Sequence, residues 1–334
     1  MTSQEFWAAH SPVTSPGTSH LVTSAIAAIP NNSLSTLRNA TSQHIFHFLN
    51  SNYADKGVPP SRRSEISLRY ASSILETLVS REASLTATRD NANRAVGCAR
   101  DSVVTFLCLA RERGIPARGR VGFTSMFGDA ETDSEGWWLD HVIAEVWDAG
   151  ESRWRMVETR MASRKEGDDK DDSGRFNLLD LTEAEFLTAP KAWKAVQEGK
   201  LDAAKFGVDA DDNLPPFLKG WHYLAHNLLH DLVWLDKKEM LLWDHWGVQD
   251  GMSKKTPEAV REELSGLLDE ISAVTADTGV EPAAVRALAQ REGLRVPGVI
   301  TSVDAAGGMV EVDVSRTIGS SVDVKPVYGM DSGL

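Results

Sequence analysis

The chain reads Gly97-Cys98-Ala99-Arg100-Asp101 at its most informative point, and an apolar run continues from there for about a dozen residues. Apolar residues recur in this run at a spacing of three to four, which predicts a buried helix. The Gly-Ile-Pro segment at 114–116 is a helix stop signal. Amide N–H groups at a helix start carry partial positive charge, which lowers the pKa of a thiol and stabilises an oxyanion. A cysteine at this helix start is therefore placed for nucleophilic chemistry.

The composition describes an ordinary globular chain that is long enough for a sizeable core. It has 334 residues, of which 42% are apolar and 25% charged. A formal net charge of −13 without a Lys/Arg-rich run argues against a nucleic-acid partner. No stretch approaches the apolar length of a membrane span, so no membrane association is expected. Cys98 and Cys108 lie too far apart on one predicted helix for a disulfide, which favours a reducing, cytoplasmic location.

Helical patterns precede the central helix and alternating patterns follow it. Helices are predicted before it over residues 21–29, 35–50 and 66–78. Strands are predicted after it over residues 118–123, 141–147 and 153–159. Helical patterns return over residues 183–193, 221–234, 256–276 and 282–292, and late strands are predicted over residues 310–314 and 322–327. Helices first and an antiparallel sheet after them predict an α+β fold.

Three groups follow one another along the chain in an order that suits acyl-transfer catalysis. The helix start at Cys98 and Ala99 comes first, His141 at the start of a predicted strand comes second, and Glu158 near the end of the next strand comes third. That chemistry needs a nucleophile, an imidazole that takes its proton and a carboxylate that orients the imidazole. Cross-strand neighbours lie about 5 Å apart, so we expect His141 and Glu158 to lie side by side.

Several motifs around these residues resemble the transglutaminase-like superfamily, whose members share a papain-type Cys-His-Asp arrangement. The core motifs are Gly97–Asp101, Gly114–Arg118, Asp140–Val142 and Arg153–Glu158. Motifs outside the core resemble a branch of stand-alone bacterial and fungal proteins of similar length, and they are Trp193, Phe206–Gly207, Asn227–Leu228, Asp231–Leu232, Lys238–Glu239 and Trp243–Gly247. The resemblance covers most of residues 10–325. It implies a papain-like core, in which a central helix packs on an antiparallel sheet, with added N- and C-terminal helices.

The resemblance also implies a domain organisation and an activity. A catalytic core would cover residues 81–250, after an N-terminal helical segment over 1–80 and before C-terminal helices and strands over 251–334, all within one domain. The implied activity is cysteine-type acyl transfer through an acyl-enzyme, by a transamidase, amide synthase or amidase of biosynthesis. Its substrate would be a small or carrier-protein-bound acyl compound. The resemblance implies no cofactor and no metal.

The register of the resemblance puts the nucleophile at residue 99, where this chain has alanine. In the superfamily the cysteine directly precedes Arg and then Asp or His, and it lies at a fixed distance from the Gly-Ile-Pro segment. Cys98 is one residue away, and one residue rotates a helical side chain by about 100°. Three explanations stay open: a deliberate Cys-to-Ala replacement at Ala99 that silences the enzyme, Cys98 as the nucleophile after a local bulge, or a natural pseudoenzyme. The third catalytic residue also departs from the family pattern, because Glu158 stands where Asp is usual.

Other residues are candidates for contacts with a substrate. The indole of Trp137 or Trp138 is a weaker oxyanion candidate than the amides of the helix start. Asp140, directly before the predicted base, is a candidate substrate contact. Arg118 is a candidate for binding a carboxylate or phosphate, although salt bridges on a strand surface are the more frequent role of such residues.

His222, His226 and His230 repeat every four residues and so lie on one face of a predicted helix. The outer two would be about 12 Å apart along the axis, too far to share one metal ion, but a neighbouring pair could bind Zn²⁺. The alternative is a polar helix face that packs near the cleft, where His226 would contact a substrate. The sequence leaves both alternatives open.

Overall fold

The structure is a computed structural model that describes residues 2–30, 32–50, 52–127, 136–163, 169–276, 279–315 and 324–326. In these ranges the α-helices are α1 (Ser3–Ala8), α2 (His20–Ala27), α3 (Leu34–Ser42), α4 (Ala71–Arg81), α5 (Ala99–Glu112), α6 (Ala189–Gln197), α7 (Gly220–Leu235), α8 (Pro257–Thr275) and α9 (Pro282–Ala289). The β-strands are β1 (Ile45–His47), β2 (Ala95–Gly97), β3 (Ala117–Thr124), β4 (Trp138–Asp148), β5 (Arg153–Val157), β6 (Phe186–Thr188), β7 (Phe206–Gly207), β8 (Val299–Val303), β9 (Met309–Asp313) and β10 (Val324–Pro326).

Helix α5 is the buried helix that the apolar spacing predicts. Every residue from Ala99 to Arg111 is buried, and the helix packs against α3, α4, β3 and β4. The helix ends as predicted, because Gly114 takes a left-handed φ of 66° that glycine adopts without steric cost. Helix α5 is therefore enclosed by other elements along most of its length.

The main sheet has the strand order β5-β4-β3-β6, and β7 pairs with β4 beside this path. Strands β3 to β6 pair antiparallel, whereas β7 runs parallel to β4. The register places Gly122 opposite His141 and Ala144 opposite Val157. Helices and an antiparallel sheet make this an α+β fold. Strand β5 is shorter than predicted and ends one residue before Glu158.

Helix α7 packs against β3 beside the point where the pairing of β3 with β6 begins, because β6 pairs only with residues 122–124 of β3. The Val121 N–H donates to the Asp231 carboxylate at 2.9 Å, and the Asn227 amide donates to the Gly122 carbonyl at 3.0 Å. Arg120 adds two bonds to Asp231, at 3.0 and 2.8 Å. Buried backbone groups on a strand edge require partners of this kind. At Val121, directly before the residues that pair with β6, a side chain of a helix thus takes the place of a neighbouring strand.

A small parallel ladder holds the head of α5. Strand β1 pairs with β2 so that His47 lies beside Gly97, and the Phe48 N–H donates to the Gly97 carbonyl at 2.9 Å. The prediction of one helix over residues 35–50 is therefore wrong beyond Ser42. Within the ladder, Ile45 is buried in the large core cluster and Phe46 in a smaller apolar cluster, and this tertiary pairing overrides the helical spacing.

Two other predicted helices differ from the structure. The helix predicted over residues 66–78 begins only at Ala71, after a 3₁₀ helix over Pro60–Ser67. The segment 183–193 forms strand β6 before α6, whose first turn contains Pro190. The late strand predicted over 322–327 is described only as β10, and the rest of that segment lies outside the described residues.

Two large apolar clusters form the core. One joins α2, α4, α5 and the main sheet with β8 and β9, and the other joins α1 with α6, α7, α8 and α9. Trp7, Trp193 and Trp234 are fully buried in them. Within the described ranges, no helix combines the length and the apolar character needed to cross a membrane.

Candidate active site

The structure brings His141 and Glu158 together on neighbouring strands. His141 lies early in β4 and Glu158 lies directly after β5, and Nε2 of His141 is 2.5 Å from Oε2 of Glu158. Both side chains are buried. The other carboxylate oxygen accepts hydrogen bonds from the N–H groups of Arg160 at 2.6 Å and Met161 at 3.1 Å. A tight turn after β5 thus fixes the carboxylate beside the imidazole.

The electrostatics of this pair decide which nitrogen of His141 carries the proton. Burial alone would raise the pKa of Glu158, but the charge and hydrogen bond of His141 and the two N–H groups outweigh it and hold that pKa at about 2. Glu158 is therefore a carboxylate at neutral pH and can only accept a hydrogen bond. It follows that Nε2 is the donor, and that neutral His141 carries its lone pair on Nδ1.

Cys98 is the N-cap residue of α5. Its own N–H donates to Oδ2 of Asp101 at 2.8 Å, and the N–H groups of Arg100 and Asp101 are directed at its sulfur. Burial, followed by the charge of Asp101, raises the pKa of the Cys98 thiol far above its usual value. A Cβ at Gly97 would lie 2.4 Å from the same Asp101 oxygen, so this turn requires glycine. The capping arrangement therefore stabilises the helix start and does not activate Cys98.

Ala99 is the first helical residue, and only 7% of its surface is exposed. It belongs to the same apolar cluster as Val142, the neighbour of His141, and as Val157, the neighbour of Glu158. The Ala99 N–H has no acceptor among the described residues. An amide of this kind at a helix start is suited to hold an oxyanion.

Three residues near the pair are absent from the sequence analysis: His47, Phe127 and Arg160. The ring of Phe127 meets His141 edge-on, with centroids 5.0 Å apart, and the Arg160 guanidinium lies 5.6 Å from the Phe127 ring. Burial, then the charges of Arg160 and His141, lower the pKa of His47 to about 3. His47 also pairs with Gly97. His47 thus lies between the start of α5 and His141. A prediction of Ile45–His47 as a strand would have identified it as a residue near the pair.

Three further candidates, Trp137 directly before β4 and Trp138 and Asp140 within it, make their side-chain contacts with residues other than Glu158. Trp138 stacks on Phe206 with an interplanar angle of 10°, and Trp137 is buried beneath the Lys205 ammonium, 4.6 Å from its ring. Asp140 accepts hydrogen bonds from Asn227 at 2.9 Å and Tyr223 at 3.2 Å. These contacts place Asp140 against α7.

Arg118 is a core residue in this structure. It is fully buried, its Nε donates to Glu145 at 2.6 Å, and its guanidinium lies 4.1 Å from the Trp154 ring and 5.3 Å from the Trp7 ring. Burial would raise the pKa of Glu145, but Arg118 and Arg120 lower it to about 2. This guanidinium therefore already has a carboxylate partner, which fits the salt-bridge alternative.

The three histidines of α7 each contact backbone carbonyl groups. Nε2 of His222 lies 3.0 Å from the Lys255 carbonyl, that of His226 lies 2.7 Å from the Leu242 carbonyl, and that of His230 lies 3.1 Å from the Asp244 carbonyl. Carbonyls only accept, so each Nε2 is a donor. In the described part of the chain, no group of three or more His, Cys, Asp or Glu residues is arranged to hold a metal ion. The histidine row fastens α7 to the segment that follows it.

Comparisons with known proteins return nothing similar: no protein-family model, no curated protein and no solved structure matches this chain.

Proposed function

We propose that this chain has a transglutaminase-like fold and a site for cysteine-type acyl transfer. In this proposal residue 99 is the nucleophile position, His141 is the proton acceptor and donor, and Glu158 orients His141. The observation that carries the proposal is the buried contact of 2.5 Å between Nε2 of His141 and Oε2 of Glu158. A carboxylate on Nε2 leaves the basic Nδ1 to take a proton from a thiol, and this chemistry requires one imidazole nitrogen for each of these two roles.

The reaction would run in two stages from a cysteine at position 99. Nδ1 of His141 takes the thiol proton, and the thiolate sulfur attacks the carbonyl carbon of an amide, ester or thioester. The bond from that carbon to the leaving group breaks, and His141 returns the proton to the leaving group. Water or an amine, deprotonated by His141, then attacks the acyl-enzyme and releases the thiol.

The developing oxyanion requires donors that the fold does not already use. The N–H of Cys98 is bonded to Asp101, and the N–H groups of Arg100 and Asp101 face the Cys98 sulfur. The Ala99 N–H has no such engagement among the described residues. In the proposal this amide is the first oxyanion donor.

The substrate class in this proposal is a small or carrier-protein-bound acyl compound, handled in cytoplasmic biosynthesis as a transamidase, amide synthase or amidase would handle it. The chemistry needs no cofactor, because the thiol, the imidazole and the carboxylate supply all of its steps. The net charge of −13 is unfavourable for a nucleic-acid partner.

Ala99→Cys tests the proposal by restoring a thiol. The variant is incubated with a panel of acyl thioesters and amides, and intact-mass spectrometry followed by peptide mapping locates any acyl adduct. We expect an adduct at position 99 that does not form in Ala99→Cys/His141→Ala. An adduct at Cys98, or one at position 99 that forms equally well without His141, would refute the assignment.

A second candidate is a non-catalytic binding module on the same fold, which the alanine itself favours. Ala99 offers no nucleophile, and the raised pKa of Cys98 does not replace it. This candidate requires an alanine codon at position 99 in the natural gene. It also requires that Ala99→Cys fail to form an acyl adduct although the variant keeps its fold.

A further inference from the structure

A cavity of about 700 Å³ lies apart from the His141–Glu158 pair. It opens between the segment after α1, the turn after α7 and the end of β9, and its size is in the range of small-molecule sites, about 300–1,000 Å³. Much of its lining is apolar, with contributions from Phe6, Pro12, Val13, Met240, Val296 and Val314. Cys98, Ala99, His141 and Glu158 do not line it.

Lys237 lines this cavity in an unusual backbone conformation. Its φ is 60°, directly after the last turn of α7. The Lys237 N–H donates to the Trp234 carbonyl, and the Lys238 N–H donates to the Val233 carbonyl, which together form a Schellman motif. Glycine is the usual residue at this position, because a side chain in the left-handed region costs about 1 kcal/mol or more. A lysine is therefore unfavourable for this turn, and a role for its side chain would account for its presence.

Among the described residues of the lining, Lys237 is also the cation that lacks a carboxylate partner. The side chain is 8% exposed, its ammonium group donates to the Ala9 carbonyl, and it lies 4.4 Å from the Phe6 ring. The other Lys and Arg residues of the described lining have acidic partners: Arg69 pairs with Asp244, Arg100 pairs with Asp101, and Lys238 and Arg286 share Asp236. Glu239, the acidic residue nearest in sequence on the C-terminal side, pairs with Arg111. The charge of Glu239 also acts on Lys237, but among the described residues no carboxylate is in ion-pair contact with its ammonium group. A buried charge without such a contact is costly.

We propose that the cavity binds a small monoanionic carboxylate with an apolar body, whose carboxylate pairs with the Lys237 ammonium group. A carboxylate gives the ammonium group a charged hydrogen-bond partner, and its single negative charge is less costly beside the apolar side chains of the lining than the two charges of a phosphate dianion. Burial, followed by the charge of Arg111, lowers the pKa of Lys237 to about 7. A bound carboxylate would favour the charged amine and relieve that cost.

Octanoate is the probe, and isothermal titration calorimetry below the pKa of Lys237 is the measurement. Octanamide, which has the same apolar body without the charge, is the ligand control. We expect saturable octanoate binding that Lys237→Met weakens by at least about ten-fold, because it removes one partner of a buried charge pair. Lys238→Met is the matched control and should change the affinity by less than about three-fold, since the Lys238 side chain is 34% exposed and its charge is already paired with Asp236.

Lys237→Gly shows whether a lost signal reflects the site or the fold. Glycine suits the left-handed turn, so this variant should unfold at the same or a higher temperature than the parent while it loses octanoate. Octanoate affinity that survives in both Lys237 variants would overturn the proposal, as would equal binding of octanamide or no saturable binding to the parent chain. All arms use the chain with Ala99, so the outcome does not depend on acyl transfer.

Discussion

The molecule holds buried histidines in two ways, one beside β5 and the other along α7. His141 contacts a buried carboxylate, that of Glu158, whereas His226 and His230 contact backbone carbonyls. A carboxylate stabilises an imidazolium, but a carbonyl leaves burial to dominate and keeps the imidazole neutral. The comparison shows that the charge of the partner separates a histidine suited to proton transfer from one that anchors a helix. Burial does not separate them, because all three are buried.

The largest expected effect comes from removing the imidazole of His141, the histidine that contacts a carboxylate. In the Ala99→Cys background, His141→Ala should slow alkylation of the introduced thiol by iodoacetamide by about 100-fold, within the usual range for a lost general base. His226→Leu in the same background should leave the rate within about two-fold, since its partner is a carbonyl. Timed quenching and peptide mass spectrometry give both rates. Equal slowing in the two variants would remove the distinction between the two histidine groups.

A smaller effect is expected when the partner loses its charge. Glu158→Gln keeps the size of the side chain but removes the carboxylate. Alkylation of the thiol introduced by Ala99→Cys should therefore slow by about ten-fold. The same timed quenching gives the rates, and a rate that Glu158→Gln leaves unchanged would remove the orienting role from the carboxylate.

The same variant has a pH signature in stability. The pKa of Glu158 is lowered from 4.5 to about 2, so its stabilising contribution is complete above about pH 4.5 and is lost as the pH falls towards 2. The difference in unfolding free energy between the parent and Glu158→Gln, measured with urea, should therefore shrink between those two values. A difference that stays constant over that interval would mean that Glu158 is not ionised in the folded protein.

For the histidines that contact backbone carbonyls, a substitution should change the stability of the protein but not the reactivity of the thiol at position 99. Burial, then the charge of His245, lowers the pKa of His230 from 6.5 to about 3. Unfolding therefore takes up a proton at His230 as the pH falls from about 6.5 towards 3, which destabilises the folded state by up to about 1.4 kcal/mol per pH unit.

His230→Leu should remove that proton uptake from urea unfolding measured across the same interval. It should also cost about 1–3 kcal/mol at neutral pH, because the Asp244 carbonyl is left buried without its partner. An unchanged slope of stability against pH would show that His230 is charged in the folded protein, and the two histidine groups would then be alike.

The smallest effect is expected at Cys98. Serine is a preferred N-cap residue, so Cys98→Ser should change the unfolding free energy by less than about 0.5 kcal/mol. In the Ala99→Cys background it should leave the alkylation rate of the thiol at position 99 unchanged. A large loss of that reactivity would return Cys98 to the role of nucleophile.

The local part of this architecture is visible in the sequence. The spacing of apolar residues predicts α5, and alternation predicts the strands that carry His141 and approach Glu158. Their juxtaposition follows from antiparallel neighbours, because consecutive strands joined by a short turn pair with each other. The sequence therefore predicts the pair itself, although β5 ends one residue before Glu158.

The remaining parts depend on partners that are distant in sequence. Strand β1 pairs with β2 about fifty residues later, so Ile45–His47 is predicted as helix and His47 is missed. Arg118 pairs with Glu145 across β3 and β4, but its burial also depends on Trp7 and Trp154, which no local pattern connects with it. The left-handed turn at Lys237 could not be predicted from the sequence, because glycine is the residue that indicates this conformation and the chain has lysine there.

The contact of α7 with β3 has a consequence for self-association. An exposed strand edge is a template for a strand of another molecule, and it is a common origin of aggregation. Here β6 pairs with residues 122–124 of β3, and Asp231 accepts a hydrogen bond from the N–H of Val121 directly before them. A carboxylate on a helix thus occupies a backbone donor that an incoming strand would need, and we expect it to disfavour pairing of this edge with a strand of another copy.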